Sequence, residues 1–74
     1  MPNRDILKGN WKQLSGEIKQ RWGQLTDDDL ARSEGNRDKL IGALQERYGY
    51  ERAQAANEVD AFINEVSNRI STGA

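Results

Sequence analysis

An all-α fold of four helices in two tandem hairpins follows from three features of this 74-residue sequence. Apolar residues recur at three- and four-residue spacings, the breaks between such stretches fall at glycines, and one pattern returns after 26 residues. At that offset Gly9-Asn10 aligns with Gly35-Asn36, Leu14 with Leu40, Gly16 with Gly42, Ile18 with Leu44, Arg21 with Arg47, Trp22 with Tyr48 and Gly23 with Gly49. The shared pattern, G-N-x3-L-x-G-x-[IL]-x2-R-[WY]-G, reads as an internal duplication in which each half is one helical hairpin.

The first helix is predicted over residues 4–22, because Leu7, Trp11, Leu14, Ile18 and Trp22 form one stripe of a helix turning 100° per residue. Gly23 is its expected stop. Thr26 before Asp27-Asp28-Asp29 and Leu30 marks the next start, over 27–34. The hydroxyl accepts from free backbone N–H groups, and each carboxylate in the first turn opposes the positive end of the helix dipole by about 0.3–1 kcal/mol. The third helix, 36–48, has Asn36 as cap, a stripe of Leu40, Ile41, Leu44 and Tyr48, and Gly49 as stop. The fourth, 51–71, places Ala55, Ala56, Val59, Phe62, Ile63, Val66 and Ile70 within an arc of about 120°, the width of a core-facing helix. The expected core is therefore Trp11, Leu14, Ile18, Trp22, Leu40, Leu44, Tyr48, Val59, Phe62 and Val66. Residues 1–74 form one expected domain, since Pro2 is the only proline and the breaks are single glycine turns rather than linkers.

Composition excludes several function classes. With no cysteine and no histidine there is no disulfide, no zinc cluster of the usual ligands and no imidazole acid or base. A domain this small buries only roughly 60% of its unfolded surface, too little to enclose a large substrate cavity. Eleven Lys and Arg against twelve Asp and Glu give a net charge of −1, which offers no global attraction to phosphate backbones or anionic membranes. No apolar run approaches the roughly 20 residues of a membrane span, and residues 1–10 lack the apolar stretch of an export signal, so a cytoplasmic monomer is expected. No motif implies a cofactor, and no catalytic pair stands out among the carboxylates.

The residues that invite a functional reading are few. Lys8, Lys12 and Lys19 lie within about 40° of one another on the predicted first helix, with Arg4 close by, and border the tryptophan stripe, as in single-strand binding surfaces. Arg47 and Arg52 flank Tyr48-Gly49-Tyr50, a turn with one of the two glycines of a helix-hairpin-helix element. These five, Lys8, Lys12, Lys19, Arg47 and Arg52, are the candidate nucleic-acid contacts. Asp5, Glu17, Glu51 and the Asp27–Asp29 cluster beside them favour a solvated face over a phosphate footprint. The Asp triplet lacks the alternation and glycine of a calcium loop and reads as a helix cap. Gly16 and Gly42 sit mid-helix, where each costs about 1 kcal/mol against alanine; close approach by another backbone or inheritance from a common half-unit accounts for them.

Gly9-Asn10-Trp11-Lys12-Gln13-Leu14, Gly16, Trp22-Gly23, Leu25-Thr26-Asp27-Asp28-Asp29-Leu30, Glu34-Gly35, Arg37-Asp38 and Leu44-Gln45-Glu46-Arg47-Tyr48-Gly49-Tyr50 together resemble the CsbD-like family of small bacterial general stress proteins. The resemblance runs from about Asp5 to Val59. It implies a bacterial, cytoplasmic stress-response protein with a compact four-helix fold of crossed hairpins similar to SAM-like domains. It implies neither a mechanism nor site residues. The function expected from it is non-enzymatic, through contacts with a protein partner or general protection of macromolecules, with a nucleic-acid-binding module as the alternative. Ser15, Ala31-Arg32-Ser33 and Ala43 depart from the family's usual lysine or aliphatic character and weaken a basic-surface role.

Overall fold

In a computed structural model, residues 7–73 are described, with side chains over 7–69. Among the described residues there is helix and no strand. The helices are α1 (Trp11–Arg21), α2 (Asp27–Ser33), α3 (Arg37–Tyr48) and α4 (Arg52–Gly73), and a helical turn over 7–9 precedes α1. The radius of gyration is 11.5 Å, against roughly 11 Å for a compactly folded chain of this length.

The first helix is shorter than the stripe suggested. Asn10 leaves the helical region at φ −118°, ψ 20°, so residues 7–9 form a separate turn and the expected run from residue 4 is interrupted. Gly9-Asn10 is the physical reason, being a pair with poor helix propensity at the point where the chain must change direction. Arg4 lies outside the described residues. At its other end α1 stops at Arg21, and Trp22 is the C-cap at φ −123°, ψ 80° with its N–H still donating to the Ile18 carbonyl at 2.8 Å. Gly23 does not adopt the left-handed conformation of a helix stop; only Gly35 and Gly49 do so among the described glycines.

The next two helices are closed at both ends by local chemistry. Thr26 Oγ1 accepts from the Asp29 N–H while the Asp29 carboxylate accepts from the Thr26 N–H, both at 3.1 Å, a reciprocal capping box. Asn36 Oδ1 accepts from the Lys39 N–H at 3.0 Å. At their C-termini Glu34 (φ 46°) and Gly49 (φ 71°) take the left-handed cap.

The closest helix pairs are α3 with α4 and α2 with α3. Between them lie Leu40, Ile41 and Leu44 of α3, Leu30 of α2, and Ala55, Val59, Ile63 and Val66 of α4, all buried. Leu14 and Ile18 of α1 join this core, with Leu7 and Leu25 from the flanking turns. Trp22 is buried edge-on against Phe62, ring centroids 5.5 Å apart. Trp11 and Tyr48 are half-buried and pack on the margin of the core. Ile70 lies outside the residues whose side chains are described.

Close backbone approach occurs at a glycine other than the two singled out by position. A Cβ built on Gly35 would stand 2.7 Å from the Lys8 Cα and 3.1 Å from its N, at a φ of +80°. The turn before α1 is thereby seated directly on the α2–α3 junction. Gly16 and Gly42 have open space where a Cβ would stand, so no close approach within the described fold requires them. Gly35→Ala is expected to cost roughly 2–4 kcal/mol, combining the left-handed penalty with a backbone collision. Gly16→Ala should stabilise by up to about 1 kcal/mol through helix propensity. Urea midpoints of the two variants, moving in opposite directions from the parent, are the check.

Candidate functional site

The five candidate nucleic-acid contacts do not form a free basic surface. The break at Asn10 takes Lys8 off the helix carrying Lys12 and Lys19 and places it against Gly35. There it lines a polar groove of about 530 Å³ with Ser33, Asn36 and Lys39, among others. Lys19 Nζ donates to Asp27 Oδ1 at 2.6 Å. Arg52 lies 3.4 Å from Asp38. Arg47 forms a two-pronged pair with Asp29, Nε to Oδ2 at 2.7 Å and Nη2 to Oδ1 at 3.1 Å. Of the five, Lys8 and Lys12 alone have no carboxylate partner among the described residues.

The Arg47–Asp29 pair is the principal polar feature. Asp29 is 2% exposed, and its side chain accepts from the Thr26 backbone N–H, Arg47 and Arg32, with the Arg32 contact at 2.5 Å. Next to it Ser33 Oγ donates to the Asp29 carbonyl at 2.8 Å. A buried carboxylate needs such company, because removing it from water is costly unless its lone pairs are met. The Arg47 hydrogen bond, the Thr26 N–H and the Arg32 contact hold the Asp29 carboxyl far below the usual carboxylate range, against the opposing effect of burial. Arg47, in turn, is pushed up by Asp29. The chemistry supports a charge that stays charged, not an acid poised to exchange protons near neutrality.

A second chain of charges joins α3 to α4. Arg37 grips Asp60 through Nε and Nη2 at 2.7 and 2.9 Å, and Asp38 lies within ion-pair distance of both Arg37 and Arg52. Arg37 holds the Asp60 carboxyl below its usual range despite partial burial. Between α1 and α4 the links are Arg69 to Glu17 at 2.6 Å, Arg21 to Glu65, and Trp22 Nε1 donating to Glu58 Oε1 at 3.1 Å. The guanidinium of Arg21 stands 5.6 Å from the ring centroids of both Trp22 and Phe62, within cation–π range.

The aromatic turn is likewise occupied. Tyr48 and Tyr50 stack at 5.2 Å between centroids, and Tyr48 Oη accepts from the Gln24 N–H at 3.2 Å. Burial, and then the Glu58 charge, push the Tyr50 hydroxyl up. Among the described residues no three acidic side chains gather as metal ligands, and no helix is long and apolar enough to cross a membrane.

These features define a class first: a small all-helical protein whose conspicuous polar side chains fasten helices to one another. The chain belongs to the CsbD-like family, whose pattern matches residues 5–56. It is 55% identical over 60 residues to UPF0337 protein YjbJ of Escherichia coli O6:H1, an overlap of 81% of this chain and 87% of the relative. It is also 55% identical over 60 residues to UPF0337 protein PA4738 of Pseudomonas aeruginosa, covering 81% and 92% respectively. No solved structure matches the chain.

Asp29→Ala removes the carboxylate half of the capping box and the anchor of two arginines. Because Arg47 and Arg32 are partly exposed and regain water, the cost is expected near about 2 kcal/mol rather than that of a stranded buried charge. The pH dependence has a definite sign. A carboxyl held low in the folded state binds its proton more readily when unfolded, so its contribution is complete above the unfolded pKa of about 4 and is lost as pH falls towards the folded value. Asp60 acts in the same direction. Urea unfolding from pH 6 down to pH 2 should therefore show stability falling below about pH 4, with a shallower fall in Asp29→Asn.

Proposed function

We propose that the chain is a non-enzymatic bacterial stress-response protein, acting in the cytoplasm as a single-domain monomer through contacts with other proteins or by general protection of macromolecules. Membership of the CsbD-like family supports the stress assignment. The observation that carries the choice of mechanism is the internal pairing of charge: Lys19, Arg47 and Arg52, three of the five candidate phosphate contacts, are each matched to a carboxylate. A phosphate backbone must compete with those carboxylates before any counterion is released. The mean hydropathy of −0.95 suits a protein that stays dispersed at high abundance, and the capped helices separate it from disordered protectants.

We also read the fold as two duplicated hairpins in a SAM-like arrangement. The N-caps Asn10 and Asn36 stand 26 residues apart, as do the first residues of α1 and α3, which supports a common ancestral unit.

Backbone amide NMR during titration with short single- and double-stranded DNA and RNA, at low and moderate salt, tests this reading. Resonances of Lys8, Lys12, Lys19, Arg47 and Arg52 are expected to stay still. Shifts confined to those residues that weaken steeply with salt would replace the proposal with nucleic-acid binding. In parallel, heat-induced aggregation of malate dehydrogenase should fall with stoichiometric or higher amounts of the protein; light scattering that does not respond counts against protection.

A further inference from the structure

We propose that α1 opens away from α2, α3 and α4 as a unit, while those three remain folded together. Three independent observations meet on this helix. The first is space. An open groove of about 640 Å³ lies between α1 and α4, lined by Glu17, Gln20, Arg21, Phe62, Glu65 and Arg69 among others. A second, of about 210 Å³, lies beside it between Leu14 and Val66. Both border the Glu17–Arg69 pair, so the rim of the α1–α4 seam is open to solvent above the buried Leu14, Ile18, Phe62 and Val66. The closest helix pairs, by contrast, are α3 with α4 and α2 with α3.

The second observation is the ends. Helices α2 and α3 each have a side-chain N-cap and a left-handed C-cap, whereas Asn10 gives α1 no side-chain cap and Trp22 closes it without a left-handed turn. Its chain connections at Asn10 and Trp22 are already non-helical and can act as hinges. The third is the nature of the polar links. The Glu17–Arg69, Arg21–Glu65 and Lys19–Asp27 pairs are between exposed or part-exposed side chains, and pairs of that kind contribute little; the hydrogen bond from Trp22 to Glu58 is a part-buried tie at the hinge. The Asp29–Arg47 and Arg37–Asp60 pairs, which join α2, α3 and α4, remain intact when α1 leaves. Burial of Leu14, Ile18 and Trp22 keeps the closed form dominant.

Opening uncovers those three side chains together with Phe62 and Val66. A protein that is hydrophilic when closed thus gains an apolar surface for a partially unfolded partner. That use of the surface rests on the protein-contact reading above; the opening itself does not.

The experiment uses the full chain alone. Trp11 is the first residue of α1 and Trp22 its C-cap, so fluorescence follows this helix while far-ultraviolet circular dichroism follows all of them. Amide hydrogen exchange is expected to run at least about tenfold faster for residues 14–21 than for residues 40–44. In urea the fluorescence transition is expected to precede the dichroism transition. The double variant Glu17→Gln, Arg21→Gln should quicken exchange in α1 and leave α3 unchanged, while Leu40→Ala should quicken both. Coincident transitions, with α1 and α3 exchanging at one common free energy and responding together to both variants, would overturn the proposal. A protein that opens yet fails to suppress aggregation would refute the protein-contact reading alone.

Discussion

The contact between Asp29 and Arg47 is the constraint on which the arrangement of the helices depends. It begins as a local device, a carboxylate at the third position of α2 that closes a capping box with Thr26. Because the same carboxylate also receives Arg47 from the last turn of α3, the start of one helix is held to the end of the next. Such an interaction is worth having only when it is complete, since a buried carboxylate lacking one of its donors bears the desolvation cost without the return. Here the Thr26 N–H and both arginines supply donors, and among the described side chains no buried polar atom is without a partner.

A duplicated sequence need not give duplicated packing. Gly9 and Gly35 occupy equivalent positions of the 26-residue pattern, yet a Cβ on Gly9 would meet nothing within 4 Å whereas one on Gly35 would collide with the Lys8 backbone. The two halves differ because Gly35 must turn the chain out of α2 in the left-handed region, whereas Gly9 sits in a helical turn. The same asymmetry separates Arg21 from Arg47. Arg47 finds a buried carboxylate; its counterpart Arg21 lies over Trp22 and Phe62 and reaches Glu65 at the surface.

What was legible in the sequence was what local physics decides. Thr26 and Asn36 are caps because their hydroxyl and amide oxygens lie within reach of N–H groups three residues on, a geometry contained in four residues. Leu14, Ile18, Leu40, Leu44, Val59, Phe62 and Val66 are buried because helical periodicity leaves them one face to share. The limits of that reasoning lie where distant parts of the chain meet. Arg47 is a candidate phosphate contact in the sequence, with a solvated face the favoured reading, because its partner is 18 residues away and spacing alone gives no sign of that pairing. Gly35 looked like an ordinary turn, and Gly16 like a contact point, because close approach depends on a second segment whose path the local pattern does not specify. The stripe through Leu7 and Trp22 overstated the first helix for a related reason. Both side chains are buried, Leu7 from helical residues before the break at Asn10 and Trp22 from the C-cap.

A chain with 31% charged residues has two ways to use them, and this fold uses both. Asp29 with Arg47, a pair with one shielded member, joins α2 to α3, and the two-pronged Arg37–Asp60 pair, between part-exposed side chains, joins α3 to α4. Low local dielectric strengthens the first, and the geometry of both is two-pronged. Pairs at the α1–α4 seam bridge an open groove, where solvent screens them and side-chain freedom opposes them. The closest helix pairs are likewise α2 with α3 and α3 with α4. Cooperativity is therefore concentrated in α2, α3 and α4, and α1 is held chiefly by the apolar anchors Leu14, Ile18 and Trp22. In a small chain with a thin stability margin, that unevenness makes α1 the least firmly held helix over the buried Trp22 and Phe62.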